Sequence, residues 1–233
     1  MLYNKIGIIC AVESEKQELL KRYSYVLKRV YDLKFYLFKK NEKEIILVKC
    51  GVGKINATRA TQILIDKFDV EFVINYGTAG GIDKSLNYGD IVVAISCVQA
   101  DADCTVFGLP KGKFEKNDEL YVVSDHSIIS YIKNITKEIV RANNKIVFAN
   151  IATFDQFIID EDFNRKLKEE FNVVCADMES VAVAITCKAC KIPYVVIRGI
   201  SNILGEKYAV DSYNKLSSKT SSDCIDIIQK LFL

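Results

Sequence analysis

Residues 54–81, KINATRATQILIDKFDVEFVINYGTAGG, decide the fold. Lys54–Phe68 carries its apolar side chains at helical spacing, and Val70–Tyr76 is a short apolar, β-branched run that reads as a buried strand. Gly77-Thr78-Ala79-Gly80-Gly81 then reads as a glycine-rich loop beyond that strand. Helix followed by buried strand and glycine loop is the grammar of an α/β fold. Outward from this unit, strands are expected at Ile6–Cys10, Lys34–Lys39, Glu44–Cys50, Asp90–Val98, Ile146–Ala152, Val173–Ala176 and Tyr194–Ile200. Helices are expected at Glu15–Arg29, His126–Ala142, Asp162–Phe171, Met178–Cys190 and Ser212–Leu231. Several strands are apolar throughout, as happens when helices cover both faces of a sheet. The expectation is a single α/β domain over residues 1–233, with a central mixed sheet flanked by helices.

Composition narrows the function. Lys+Arg total 32 against 30 Asp+Glu, a net charge of +2, and the basic residues are interspersed with acids. No positive stripe of the kind that tracks nucleic acid is visible. No stretch approaches the roughly 20 apolar residues of a membrane-spanning helix. The start of the chain lacks a secretory pattern, so a cytoplasmic protein is expected. The eight cysteines fall largely in apolar runs, where thiols act as small hydrophobes. Cys187-Lys188-Ala189-Cys190 has no second pair, and the one histidine is His126, so neither zinc nor redox chemistry is expected.

In open α/β sheets ligands bind beyond the carboxyl ends of the strands, and five loops there carry chemistry. After Cys10 come Glu13 and Glu15 at a helix start, where a carboxylate can simply face the helix dipole. Gly51-Val52-Gly53-Lys54 lacks the upstream glycine and the Ser/Thr of a nucleotide phosphate loop. Its glycines suit a tight turn or close approach to a ligand. The glycines of 77–81 would let backbone N–H groups converge on a polar ligand. Asp177-Met178-Glu179 puts two acids between hydrophobic flanks, where an unpaired charge is costly. Arg198, inside Val195-Val196-Ile197-Arg198-Gly199-Ile200-Ser201-Asn202, needs an anionic partner, which Glu15 or Glu179 could supply.

Together these loops resemble the 5'-methylthioadenosine/S-adenosylhomocysteine nucleosidases of the nucleoside phosphorylase superfamily. The resemblance runs nearly end to end, through Gly7-Ile8-Ile9, Glu13-Ser14-Glu15, Gly51-Val52-Gly53-Lys54, Gly77-Thr78-Ala79-Gly80-Gly81, Gly89-Asp90-Ile91-Val92, Asp101-Ala102-Asp103, Phe107-Gly108, Asp177-Met178-Glu179 and Arg198-Gly199-Ile200-Ser201. It implies a nucleoside phosphorylase-like fold and cleavage of a purine nucleoside by water. By the same resemblance Glu15 would activate the water, with Arg198 and Thr78 beside it. Glu179 would hold the ribose hydroxyls, Met178 would pack on the sugar, and Phe157 would stack on adenine. Backbone groups near Ile158 would read the base edge, with Ser201 in the substrate pocket. Val12 and Val52 would wall the sugar and its 5' substituent. Phe107 would reach into the neighbouring subunit's site, implying a homodimer with a small-molecule substrate and neither nucleic acid nor membrane as partner. No metal or organic cofactor is implied.

Two positions depart from the family pattern. Asn202 stands where the family has an aspartate that protonates purine N7, and an amide can hydrogen-bond there but supplies no proton. It is either a natural change in rate or base preference or an engineered trap for bound ligand. Phe154 stands before Asp155-Gln156-Phe157, where the family commonly has glycine. Purine nucleoside phosphorylase is the nearest alternative, since phosphorylases that prefer 6-oxopurines have an asparagine facing the base. Against it, Glu13 and Glu15 in the first loop would repel a phosphate dianion. A catalytically silent nucleoside-binding protein is the third reading, with Asn202 in its favour and the intact Glu15, Glu179 and Arg198 against it.

Overall fold

The computed structural model describes residues 3–137, 144–157, 160–204 and 209–232. Among them, ten strands form one mixed sheet, with six α-helices around it. The core of the sheet is a set of parallel strands: β1 (Lys5–Cys10) lies between β4 (Lys43–Lys49) and β5 (Phe72–Gly81), and β5 also pairs with β10 (Tyr194–Ile203). β10 runs antiparallel to β6 (Ile91–Gln99), which passes through β8 (Ile146–Thr153) and β9 (Val173–Asp177) back to β5. These five strands close a ring, and the β1–β4 side extends it as an open sheet. β3 (Leu33–Lys40) and β2 (Val26–Val30) finish that side, and β7 (Val122–Val123) pairs with β6.

Successive strand residues point to opposite faces, and each face has its own helices. On one, Ile9, Val73 and Val196 pack with Ala57, Ala60 and Leu64 of α2 (Lys54–Phe68) and with Val181 and Val183 of α5 (Ser180–Ala189). On the other, Ile8, Ile74 and Val195 pack with Leu19 of α1 (Glu13–Leu20), Ile128 and Ile132 of α3 (His126–Thr136), and Ile225 and Ile228 of α6 (Ala209–Phe232). α4 (Glu161–Phe171) covers a smaller cluster in which Phe154 is buried against Val98, Leu167 and Phe171. The bulk at position 154 therefore turns into the core. No helix among the described residues is long and apolar enough to cross a membrane.

Two expectations need correction. The helix expected over Glu15–Arg29 ends at Leu20, and Val26–Val30 forms an edge strand paired antiparallel with Leu33–Leu37 through a turn at Tyr31, φ 53°. Pairing to β3 overrides the weak local preference of this stretch. Residues 77–81 are not a loop either. They continue β5, in parallel register with β10 and antiparallel to β9. A bulge in β10 between Ile200 and Asn202 inserts Ser201 as an extra residue. Such an insertion bends the strand locally, and Ser201 and Asn202 both line the pocket described next.

Candidate active site

Where β1, β5, β9 and β10 end, a cavity of about 190 Å³ opens. Glu15, on the first turn of α1, is 3% exposed. One carboxylate oxygen accepts hydrogen bonds from the N–H groups of Ala11 (2.9 Å) and Val12 (3.1 Å), and the other from the N–H of Thr78 (3.0 Å). The helix start and the middle of β5 thus hold one carboxylate from two sides. Burial nevertheless pushes the Glu15 carboxyl above the usual range, outweighing Arg198 and the three N–H donors.

Arg198 lies behind the acids, 1% exposed. Its Nε donates to Asp177 (2.8 Å) and to the Ser180 hydroxyl (3.1 Å), while Nη2 reaches Asp177 (2.6 Å) and Asn75 Oδ1 (2.6 Å). Glu179 is farther away, at 3.9 Å. The partner expected to be Glu15 or Glu179 is therefore Asp177, whose carboxylate also accepts from Thr153 (2.7 Å) and the Ser180 N–H (2.9 Å). The role suits a residue at the last position of a strand and just ahead of a helix, where N–H groups are free. Three buried acids surround one buried guanidinium, so carboxyl groups outnumber the cation. Arg198 holds its proton still more tightly under their field.

Glu179 accepts from the N–H of Gly53 (3.0 Å), which sits at φ 98° before α2. Its carboxyl is pushed up to about 7, first by burial and then by the Asp177 charge, against the pull of Arg198 and Gly53. In the unfolded chain it returns to its ordinary 4.5, so the folded state holds this proton more tightly. That contribution to stability is complete below pH 4.5 and is lost as pH rises through 7. Urea midpoints should therefore fall between about pH 5 and 8 and be flatter for Glu179→Gln. Midpoints that rise over that interval would contradict the arrangement.

Val12, Val52, Thr78, Phe157, Met178, Ser201 and Asn202 line the same cavity. Asn202 is 2% exposed. Its Oδ1 accepts from the Ser201 hydroxyl at 3.0 Å, and its Nδ2 has no partner among the described residues. Ile158 lies outside the described residues. Phe107, on a short turn at Thr105–Phe107, does not line the cavity and is 80% exposed. Gln156, Leu204 and Tyr213, to which the sequence assigns no role, also line the cavity. Tyr213, on the first turns of α6, meets Phe157 edge-on at 6.0 Å.

The family model described as the phosphorylase superfamily matches residues 5–232. The chain belongs to that superfamily. Within the superfamily, the 5'-methylthioadenosine/S-adenosylhomocysteine nucleosidase of Staphylococcus epidermidis is 31% identical over 96% of this chain and 98% of its own length. The aminodeoxyfutalosine nucleosidase of Campylobacter jejuni is 32% identical, over 95% and 96%. Among solved structures, an aspartate-to-asparagine mutant of the Helicobacter pylori 5'-methylthioadenosine/S-adenosylhomocysteine nucleosidase, with 5'-methylthioadenosine in its active site, superposes with a TM-score of 0.92 at 27% identity, over 98% and 97% of the two chains. The superfamily's α/β fold is the one expected from the sequence.

Gly77 has a packing reason beyond its place in β5. A Cβ there would lie 2.7 Å from a Glu15 carboxylate oxygen and 2.8 Å from Nη1 of Arg198. Gly77→Ala should displace both, costing about 1–3 kcal/mol of stability and roughly 10²-fold in any reaction that depends on their placement. Unfolding titrations and rate measurements on the variant check this. Full activity with parental stability would show that the site absorbs the methyl group freely.

Proposed function

We propose that this chain hydrolyses the N-glycosidic bond of 5'-methylthioadenosine and S-adenosylhomocysteine, releasing adenine and the 5-thioribose product. The observation that carries the reading is Glu15: a buried carboxyl with a raised proton affinity, fixed by three backbone N–H groups on the wall of a nucleoside-sized cleft. Such a group can take a proton from water as that water attacks the anomeric carbon. Breaking the bond builds positive charge on the sugar, and the carboxyl groups of Glu15, Asp177 and Glu179 are already in place to stabilise it. Glu179 holds the ribose hydroxyls and Met178 packs on the sugar. Phe157 stacks on the base, while Ser201 and Asn202 meet its edge. Val12 and Val52 take the 5' substituent. Arg198 acts one layer back: it ion-pairs with Asp177 at 2.6 Å and lies 3.9 Å from Glu179, holding both acids in place.

The nucleosidase names of the relatives support hydrolysis. An asparagine in place of an aspartate is also compatible with nucleoside binding, since the Helicobacter pylori mutant holds its substrate. Phe107 and its neighbour Val106 are exposed side by side. This favours a homodimer in which Phe107 of each protomer reaches the partner's pocket. The alternative of phosphorolysis draws on the Nδ2 of Asn202, which has no partner among the described residues and is a donor suited to the acceptor O6 of a 6-oxopurine. Three buried acids oppose a phosphate dianion. The test is adenine release from 5'-methylthioadenosine in phosphate-free buffer. Release there supports the nucleosidase; release of hypoxanthine from inosine only when phosphate is added overturns it.

A further inference from the structure

The walls of the cleft belong to separate loops, and one side chain ties three of them together. Lys54 Nζ lies 2.6 and 2.7 Å from the two carboxylate oxygens of Asp101, in the loop after β6, and 3.4 Å from Asp155, in the loop after β8. Asp155 in turn accepts from the backbone N–H of Lys54 (3.1 Å), and its own N–H donates to Asp101 (2.9 Å). The three residues close a ring. Gly53 has no side chain with which to cap α2, and Asp155 supplies the missing carboxylate from another loop. Lys54 also neutralises part of the charge that two carboxylates would otherwise bring face to face.

The ring sits between two groups that the proposed chemistry uses. One residue before Lys54, the Gly53 N–H donates to Glu179. Two residues after Asp155 comes Phe157, on the pocket wall. We infer that Lys54 is a positioning residue, whose ammonium sets the distance between the loop that aims Glu179 at the sugar and the loop that stacks on the base. This rests on the nucleosidase reading, since it assigns sugar and base to those two loops. The Lys54 and Asp101 side chains are partly buried, 14% and 27% exposed, and the pair joins a helix start to a loop rather than two core elements, so its loss should lower global stability only modestly. Sub-ångström misplacement of the substrate is far more costly to rate. A residue holding only the fold would show the opposite balance.

The experiment compares the full chain with Lys54→Met and Lys54→Arg. It measures KM and kcat for purine release, the thermal midpoint, and amide hydrogen exchange at residues 53–54 and 155–157. Lys54→Met should raise KM by about tenfold or more, lower kcat by less, and lower the midpoint only modestly. Exchange should quicken in both segments together. Lys54→Arg, whose fork can reach both carboxylates, should recover most of the loss. Unchanged exchange, or quickening in one segment alone, would overturn the ring as a coupling device. Quickened exchange with an unaltered KM would overturn its role in substrate positioning. A parent chain without purine release would count against the nucleosidase reading, and the exchange arm would still decide whether the loops are coupled.

Discussion

Asn202→Asp should accelerate adenine release from 5'-methylthioadenosine by about 10²- to 10⁴-fold, the usual worth of a positioned general acid. The position is ready for such a group. The side chain is buried on the cavity lining, its oxygen is steadied by the Ser201 hydroxyl, and its nitrogen has no partner among the described residues. A carboxyl introduced there would share a buried, acid-rich pocket with Glu15 and Glu179, both of which already hold protons more tightly than usual. The same burial and like charge would keep the new carboxyl protonated toward neutral pH. That is the form that can give a proton to the departing purine, and an amide has none to give. The gain should appear in kcat, with KM little changed, because asparagine and aspartate fill the same space. An unchanged or lower kcat would mean that leaving-group protonation is not what limits this site.

Arg198→Met should have the largest effect on stability. It removes the one buried cation from a cluster in which Asp177, Glu179 and Glu15 all lie below 10% exposure. Breaking a buried pair from one side leaves uncompensated charge, which costs about 3–5 kcal/mol. For a chain of this length that corresponds to a fall in thermal midpoint on the order of 10 °C. Asn75 and Ser180 would also lose their charged partner. The loss should shrink at low pH, where the acids can take up protons and become neutral. Thermal unfolding at pH 5 and pH 8 would show this as a smaller difference between variant and parent at about pH 5. A difference that stays below about 1 kcal/mol at both values would contradict the assignment of Arg198 as the counter-charge.

What the sequence disclosed depended on how local each signal was. α2 matches its expected span, Lys54–Phe68, because its apolar spacing is strong and a left-handed Asp69 ends it. β2 was hidden because Val26–Val30 earns its strand through a partner several residues away and is largely exposed. The glycines of 77–81 give that stretch the composition of a turn. Their strand role follows from crowding: at Gly77 by Glu15 and Arg198, and at Gly80 by Leu204 and Asn202. Glu179 was legible because an acid between hydrophobic flanks requires an explanation, whereas Glu15 and Asn202 stood out only through the family resemblance. Asp177 was visible as an acid, yet which carboxylate paired with Arg198 depended on geometry across β9, β10 and α5. Tyr213 carried no signal, since a tyrosine on a mostly polar helix is ordinary until the fold brings it against Phe157.

The central claim is that water attacks the sugar under the guidance of Glu15. It is tested most directly by turning over 5'-methylthioadenosine in water labelled with heavy oxygen, with phosphate present. Label on the anomeric hydroxyl of 5-methylthioribose in the parent, and its loss in Glu15→Gln at equal protein stability, is the result expected. A phosphorylated sugar without label, or labelled product undiminished in Glu15→Gln, would contradict the account.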